Sequence, residues 1–276
     1  MSRTSAPAIP ALLLVGCGKM GGALLRGWLE RGMARRYVIV EPGPIPADFA
    51  ANPQIERLTA ADQIPTDFAT GVIVLAVKPQ VMLEVLPGYR RFAQGGALFV
   101  SIAAGKTLSF FARALGERTA VVRAMPNTPA AIGRGIAVAC SNPAVAPAQR
   151  SLAERLLAAV GEVGWVTDET LMDAVTAVSG SGPAYVFLLI ESLAKAGTAA
   201  GLPPDLAARL ARATVAGSGE LARMSDESAG ALREAVTSPG GTTRAALDVL
   251  MAKEGFEALL TRAVLAAAKR SRELAD

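Results

Sequence analysis

Three glycines set the first chemical possibility. Gly16, Gly18 and Gly21 have the spacing G-x-G-x-x-G. In a phosphate cradle the first glycine permits a tight turn, the second lets the backbone approach a pyrophosphate, and the third lets a helix pack on the preceding strand. The spacing alone also fits a glycine turn that holds no ligand, but its flanks argue for one. Leu12–Val15 is an apolar run of the kind buried on both faces of a parallel sheet. Residues 23–30 carry apolar side chains at helical spacing. Strand, glycine turn and helix in this order are the context for dinucleotide binding, with the helix start turning its N–H groups towards phosphate. Glu41 follows a second strand, 37–40, about 20 residues beyond Gly21, where an acidic side chain accepts a hydrogen bond from the ribose 2′-hydroxyl of NAD.

A second candidate site lies far along the chain. In Ser238-Pro-Gly-Gly-Thr-Thr243, Gly240 and Gly241 let successive N–H groups turn towards one point, and Thr242 or Thr243 opens a helix. Such a concavity at a helix start suits a small carboxylate, with hydroxyls as orientable donors. Read alone, the segment is better accounted for by an ordinary capped helix after a Pro-Gly turn. Two further polar residues follow buried strands: Lys78 after 72–77, and Asn127 after 120–123 in the turn Met125-Pro-Asn-Thr-Pro129. Ligands in wound α/β sheets lie beyond the carboxyl ends of the strands, so both belong near the glycine turn. For Lys78 a solvated surface position is the alternative.

Composition removes several classes of chemistry. The chain has no histidine, which excludes a histidine base, a Ser-His-Asp triad and histidine metal ligands. Its two cysteines, Cys17 and Cys140, match no metal spacing and no disulfide framework, so no metal is expected and a reducing, cytoplasmic setting is. Basic residues exceed acidic ones by only four and form no run, and aromatic residues are 5% of the chain, which argues against nucleic acid. The first ten residues lack the apolar stretch of a signal peptide, and no run approaches the ~18 apolar residues of a membrane helix.

These residues must be positioned by a long α/β segment. Apolar strands read at 12–15, 37–40, 72–77, 97–102, 120–123, 135–140 and 162–166, with helices between them, including one capped by Thr107 and one over 148–160. That alternation predicts a parallel sheet wound on both faces, a Rossmann-type domain over 1–166. From 167 to 276 the periodicity is helical only, beginning with a possible cap at Asp168. Ser179–Pro183 interrupts that pattern. Helices then read at 184–200, 205–224, 228–236, 244–253 and 256–274. The helix from Ala184 is apolar most of the way round, with Val186, Phe187, Leu188, Leu189, Ile190 and Leu193. A helical half of this size cannot easily bury it alone, which predicts a two-fold subunit interface, the alternative being the central helix of a monomeric bundle.

The segments Gly16–Gly21, Ala76-Val-Lys-Pro-Gln80, Met125–Pro129, Ala177-Val-Ser-Gly-Ser-Gly-Pro-Ala-Tyr185 and Val236-Thr-Ser-Pro-Gly-Gly-Thr-Thr243 together resemble pyrroline-5-carboxylate reductase. They occur in that family's order and span nearly the whole chain. The resemblance implies an N-terminal Rossmann domain and an all-α dimerisation domain, with dimers that often assemble into a decamer. It implies reduction of 1-pyrroline-5-carboxylate to L-proline, usually by NADPH. Cofactor contacts would come from Gly16, Gly18, Lys19, Met20, Gly21, Glu41, Ala76, Lys78, Pro79 and Asn127. The substrate carboxylate would lie on Ser238, Gly241, Thr242 and Thr243, with Thr243 as the catalytic threonine near the ring nitrogen. Glu41 departs from the NADPH habit, because a carboxylate repels a 2′-phosphate and leaves NADH possible. Arg35 and Arg36 precede the second strand and would soften that repulsion if they reached it. Asp226-Glu227-Ser228-Ala229 lacks the His-Pro pair common there in relatives, which bears on the shape of that loop.

Two rivals remain at this level. Hydroxyacid dehydrogenases pair a helix lysine with an asparagine one turn on, whereas Lys195 here is followed by Ala196-Gly-Thr-Ala199. A non-catalytic NAD(P)-binding sensor would keep the glycine turn without needing Ser238–Thr243.

Overall fold

A computed structural model of the chain describes residues 9–274. These form two compact units. The sheet unit takes the described residues up to Gly180 and those from Ala268 onward, and the helical unit is Ser181–Ala267.

The sheet unit is built on eight strands: β1 (Leu12–Val15), β2 (Tyr37–Val40), β3 (Ile55–Leu58), β4 (Val72–Leu75), β5 (Leu98–Ser101), β6 (Val121–Met125), β7 (Gly135–Ser141) and β8 (Gly161–Trp165). Their order is β3-β2-β1-β4-β5-β6-β7-β8. Every residue of β1, β2, β4 and β5 is buried, which is why these strands read as unbroken apolar runs rather than alternating ones. Chain order reverses beside β1, whose neighbours are β2 and β4. The crevice at a reversal of this kind is where such sheets take ligands.

The longest helices packed on the sheet are α1 (Lys19–Glu30), α2 (Leu108–Leu115) and α3 (Pro147–Leu157). The buried Trp28 ties α1 to α3 by donating its indole N–H to the Leu156 carbonyl at 2.8 Å. Thr107 caps α2 as expected, accepting the Phe110 N–H at 3.2 Å.

Three expectations need correction. The sheet has one strand more than the sequence pattern showed. β3, Ile-Glu-Arg-Leu, is a half-exposed edge strand whose polar residues break the apolar run. Strand β7 is antiparallel to β6, because residues 126–134 are too few for a parallel crossover of about a dozen residues. Finally, Ser179–Pro183 is a shorter break than expected: an α-helix does start there, with Ser181 as N-cap and Pro183 in its first turn, but helical turns run right up to it. Asp168 caps the turn Glu169–Leu171 through the Thr170 N–H at 2.8 Å. A helical turn at Met172–Val175 and a π-helical turn at Thr176–Gly180 then lead into α4 (Gly182–Ala199). The widened turn keeps the helix going, so Glu169–Ala199 is long and apolar enough to cross a membrane by length and composition, contrary to expectation.

The helical unit continues with α5 (Pro204–Met224), α6 (Ala229–Ala235), α7 (Thr242–Leu250) and most of α8 (Phe256–Glu273). Ala207 of α5 packs against Gly197 of α4. Among the described residues, α4 to α7 bury only Ala207 and Ala211. Phe187 and Leu188 of α4 are each 60% exposed. The end of α8 returns to the sheet unit, where the Ser271 hydroxyl donates to Asp173 Oδ1 at 2.6 Å.

Candidate active site

The glycine turn is shaped by its neighbours before any ligand arrives. Gly16 sits at φ +90°, and a Cβ there would stand 2.8 Å from the Ala76 carbonyl oxygen. Ala76 in turn donates its N–H to the Val15 carbonyl at 2.7 Å. A Cβ on Gly21 would collide with the Gly16 carbonyl oxygen, so α1 starts this close to β1 only because position 21 has none. Gly18 differs: nothing lies within 4 Å of where its Cβ would be. Gly18 is the N-cap of α1, and no side chain caps the helix among the described residues. The helix start is therefore left without a side-chain cap, which suits a pyrophosphate. Lys19 is exposed beside them and Met20 is half-buried.

Glu41 is the second fixed feature. Its Oε2 accepts the Cys17 N–H at 2.7 Å and its Oε1 accepts the Gly43 N–H at 2.9 Å. The carboxylate thus locks the glycine turn to the loop after β2. Arg57 of β3 fastens the same loop from outside. Its Nε donates to the Glu41 carbonyl at 3.2 Å, and its Nη2 donates to the carbonyls of Pro42 and Gly43 at 3.1 and 2.8 Å. Sequence reasoning missed Arg57, because its role needs β3. Arg35 and Arg36 stand before β2 and Glu41 after it, about 13 Å of strand apart. Arg36 pairs with Glu56 instead, so neither arginine softens the charge at Glu41. The Cys17 thiol is pushed up to about 11, first by burial and then by the Glu41 and Asp48 carboxylates, and stays neutral.

At the end of β4, Lys78 is exposed and Pro79 begins a short 3-10 turn. Asn127 follows β6. Its Oδ1 accepts the Ile136 N–H at 2.9 Å, and its Nδ2 donates to the Ser179 carbonyl at 3.2 Å. The sheet unit therefore gathers Gly16, Gly18, Gly21, Glu41 and Ala76 at one turn, and places Lys78, Pro79 and Asn127 at neighbouring strand ends.

The helical unit carries the other candidate residues on one loop. Gly240 has φ +71°, and Gly241 is the N-cap of α7 with no side-chain cap among the described residues. The Ser238 hydroxyl lies against Gly241, 2.5 Å from where a Cβ would be. Gly241 donates its N–H to the Ser238 carbonyl at 3.1 Å. Thr242 and Thr243 are the first residues of α7, so uncapped N–H groups and two hydroxyls share one helix start. Ser228 caps α6 through the Ala231 N–H at 3.2 Å, which gives the loop without His-Pro an ordinary helix start. No group of three or more metal-ligating side chains occurs among the described residues.

Comparison with known proteins joins the two units. Residues 169–274 match the family described as pyrroline-5-carboxylate reductase dimerisation, and residues 11–105 match that described as NADP oxidoreductase coenzyme F420-dependent. A pyrroline-5-carboxylate reductase of Pseudomonas aeruginosa is 40% identical over 97% of both chains. One of Synechocystis is 42% identical over 95% of this chain and 97% of its own. The chain belongs to the pyrroline-5-carboxylate reductase family. Among solved structures, the reductase of Coxiella burnetii superposes with a TM-score of 0.88 at 32% identity, covering 96% of this chain and 98% of its own. That of Plasmodium falciparum, solved with NADP bound, gives 0.80 at 30%, covering 97% and 98%. Membership makes this chain an NAD(P)-dependent oxidoreductase that forms homo-oligomers. The dimerisation family spans the helix of membrane length and its exposed apolar side chains.

Proposed function

We infer that the chain reduces 1-pyrroline-5-carboxylate to L-proline, the last step of proline synthesis. The observation that carries this is near-full-length similarity to these reductases, joined to an uncapped helix start at Ser238–Thr243. A protonated cyclic imine is already electrophilic, so a chain without histidine suffices. The protein's task is to position the partners and exclude water.

The open space at Gly18 and the uncapped start of α1 fit a nicotinamide dinucleotide, with Lys19, Met20, Ala76, Lys78 and Pro79 lining its path. When bound, that cofactor supplies the hydride. Where Gly241 opens α7, Ser238 and Thr242 hold the substrate carboxylate by hydroxyl and N–H donors, and Thr243 hydrogen-bonds the ring nitrogen. Thr243→Ala is expected to lower kcat by about tenfold, less than the ~10²–10³-fold typical of donors to developing negative charge, because here positive charge is lost. Steady-state kinetics with a control for cofactor affinity checks this, and unchanged kinetics would refute the role.

NADPH is the proposed donor, supported by the family habit and by the NADP in the Plasmodium falciparum relative. Glu41 makes NADH a working second donor, since its fixed carboxylate can accept from a 2′-hydroxyl. We assign nucleotide binding to 1–166, and dimerisation and substrate binding to 167–276. Further assembly of dimers into a decamer and a cytoplasmic location complete the reading. The deciding experiment measures initial rates with pyrroline-5-carboxylate, using NADPH and NADH in parallel. A rate with either donor supports the assignment. No rate with both overturns it in favour of a cofactor-binding sensor.

A further inference from the structure

The segment between the sheet and the helical unit is fastened at two points to the region of β6. At its start, Glu169 Oε1 accepts from Arg123 Nη1 of β6 at 2.7 Å and from the Leu108 N–H at 2.8 Å. At its end, the Ser179 carbonyl accepts the Asn127 amide at 3.2 Å. Asn127 is itself fixed, because its other amide atom holds the Ile136 N–H at the start of β7. The orientation of the amide follows from these partners, one a donor and one an acceptor.

Ser179 belongs to the π-helical turn Thr176–Gly180. Such turns are rare, and they gather at functional sites. Here two hydroxyls serve carbonyls of the preceding turn: Thr176 Oγ1 donates to the Met172 carbonyl at 2.8 Å, and Ser179 Oγ donates to that of Val175 at 2.9 Å. One residue beyond Ser179 the sheet unit ends and the chain enters the helical unit at Ser181. Asn127 therefore grips the chain almost at the point of exit.

We propose that Asn127 is a positioning residue for the reduction: through the Ser179 carbonyl it fixes the π-helical turn from which α4 departs, and so sets the alignment needed for hydride transfer rather than the affinity for cofactor. This role rests on the reductase reading above. A misplacement of about 1 Å far from the chemistry can cost a hundredfold in rate, so one hydrogen bond at the exit point has leverage on kcat.

The test uses two variants of the full chain. Asn127→Ala removes both bonds. Asn127→Asp is isosteric, keeps the acceptor for the Ile136 N–H and replaces the donor to Ser179 by a carboxylate oxygen that repels that carbonyl. Should the alanine variant not fold, the aspartate variant carries the same test. Four quantities are read: kcat at saturating NADPH and pyrroline-5-carboxylate, the NADPH dissociation constant by fluorescence, the thermal midpoint, and amide exchange over 172–180 against exchange over β1 and α1. The expected result is a fall in kcat of about tenfold or more, with the dissociation constant within twofold of wild type. Exchange should quicken over 172–180 and stay unchanged over β1 and α1. A tenfold rise in the dissociation constant with kcat unchanged would make Asn127 a cofactor ligand and overturn its positioning role. Faster exchange with unchanged kcat would also overturn it, as would unchanged exchange in both variants. A wild-type chain with no rate on pyrroline-5-carboxylate would instead defeat the reductase reading, which the exchange and binding measurements do not depend on.

Discussion

The two units stabilise themselves in different ways. The sheet unit buries its own apolar residues: β1, β2, β4 and β5 are closed over on both faces, and Trp28, Tyr37, Tyr89, Phe99 and Phe111 lie under 2% exposed. The helical unit leaves its largest apolar side chains uncovered, with Phe187 and Leu188 each 60% exposed. The candidate sites differ in the same sense. The glycine turn is held by Glu41 and Ala76, with Arg57 fastening the loop after β2, whereas Ser238 and Thr242 sit exposed around the start of α7. The glycine turn is thus shaped by the sheet unit's own packing, while the apolar face of the helical unit is left for a partner surface to cover.

The strongest way to break this comparison is to charge the exposed face. The double variant Phe187→Asp with Leu188→Asp removes apolar burial worth ~1.5–3 kcal/mol per side chain, counted in both protomers of a two-fold dimer. That comes to roughly 6–12 kcal/mol, on the order of 10⁴-fold or more in the dimer dissociation constant. Analytical ultracentrifugation should show monomers at micromolar concentration, with reductase activity lost and cofactor binding retained. A variant that stays dimeric would mean that these side chains face something other than a second copy.

The next largest effect separates folding from binding inside the glycine turn. Gly18→Ala places a methyl group in open space, so the thermal midpoint without cofactor should move by no more than about 1 °C, while the cofactor dissociation constant rises about tenfold or more. Gly21→Ala drives a methyl group into the Gly16 carbonyl and should lower the midpoint as well, by several degrees for about 1–3 kcal/mol of strain. Calorimetry with and without cofactor reads both. Equal destabilisation by the two variants would show that the turn is not preformed.

How much of this was legible in the sequence follows from range. The glycine turn, its strand and its helix are contiguous, so the spacing read together with its flanks showed the local structure and its order. The loop Ser238–Thr243 was legible for the same reason: its glycines and threonines are contiguous, and Gly241 opens α7 with no side-chain cap among the described residues. What escaped depends on partners distant in sequence. Arg57 could not be placed without β3, a short edge strand lacking an apolar run. Asn127 looked like a polar residue facing a crevice, yet its amide meets Ile136 and Ser179, nine and 52 residues away. The π-helical turn was hidden because Ser-Gly-Ser-Gly-Pro reads as a break, and only the hydroxyl bonds of Thr176 and Ser179 reveal how the helix continues.

A smaller effect sharpens the cofactor side. Glu41→Gln removes the charge but keeps an oxygen that can accept from the Cys17 N–H. The ratio of kcat/KM with NADPH to that with NADH should rise by about tenfold, or ~1.4 kcal/mol, as repulsion of the 2′-phosphate is relieved. An unchanged ratio would place the adenosine ribose away from Glu41.

The smallest effect asks whether the sheet unit stands by itself. Both cysteines of the chain, Cys17 and Cys140, lie in that unit and are buried. Each thiol is pushed up to about 11. Burial is the main cause for both. The carboxylates of Glu41 and Asp48 add to it at Cys17, and at Cys140 the Glu169 carboxylate adds while Arg123 opposes. Because the folded values lie above the ordinary 9.0, the unfolded chain loses these protons first as pH rises. Their contribution to stability is full below pH 9 and drains away between about 9 and 11. Alkylation at pH 8 should therefore be slow, and the thermal midpoint should fall across that alkaline window. In the Phe187→Asp, Leu188→Asp variant, thiols that stay equally protected at pH 8 would show that the sheet unit keeps its fold without the dimer. Thiols that react at once would show that the sheet unit depends on the helical interface after all, and the contrast between the two units would fail.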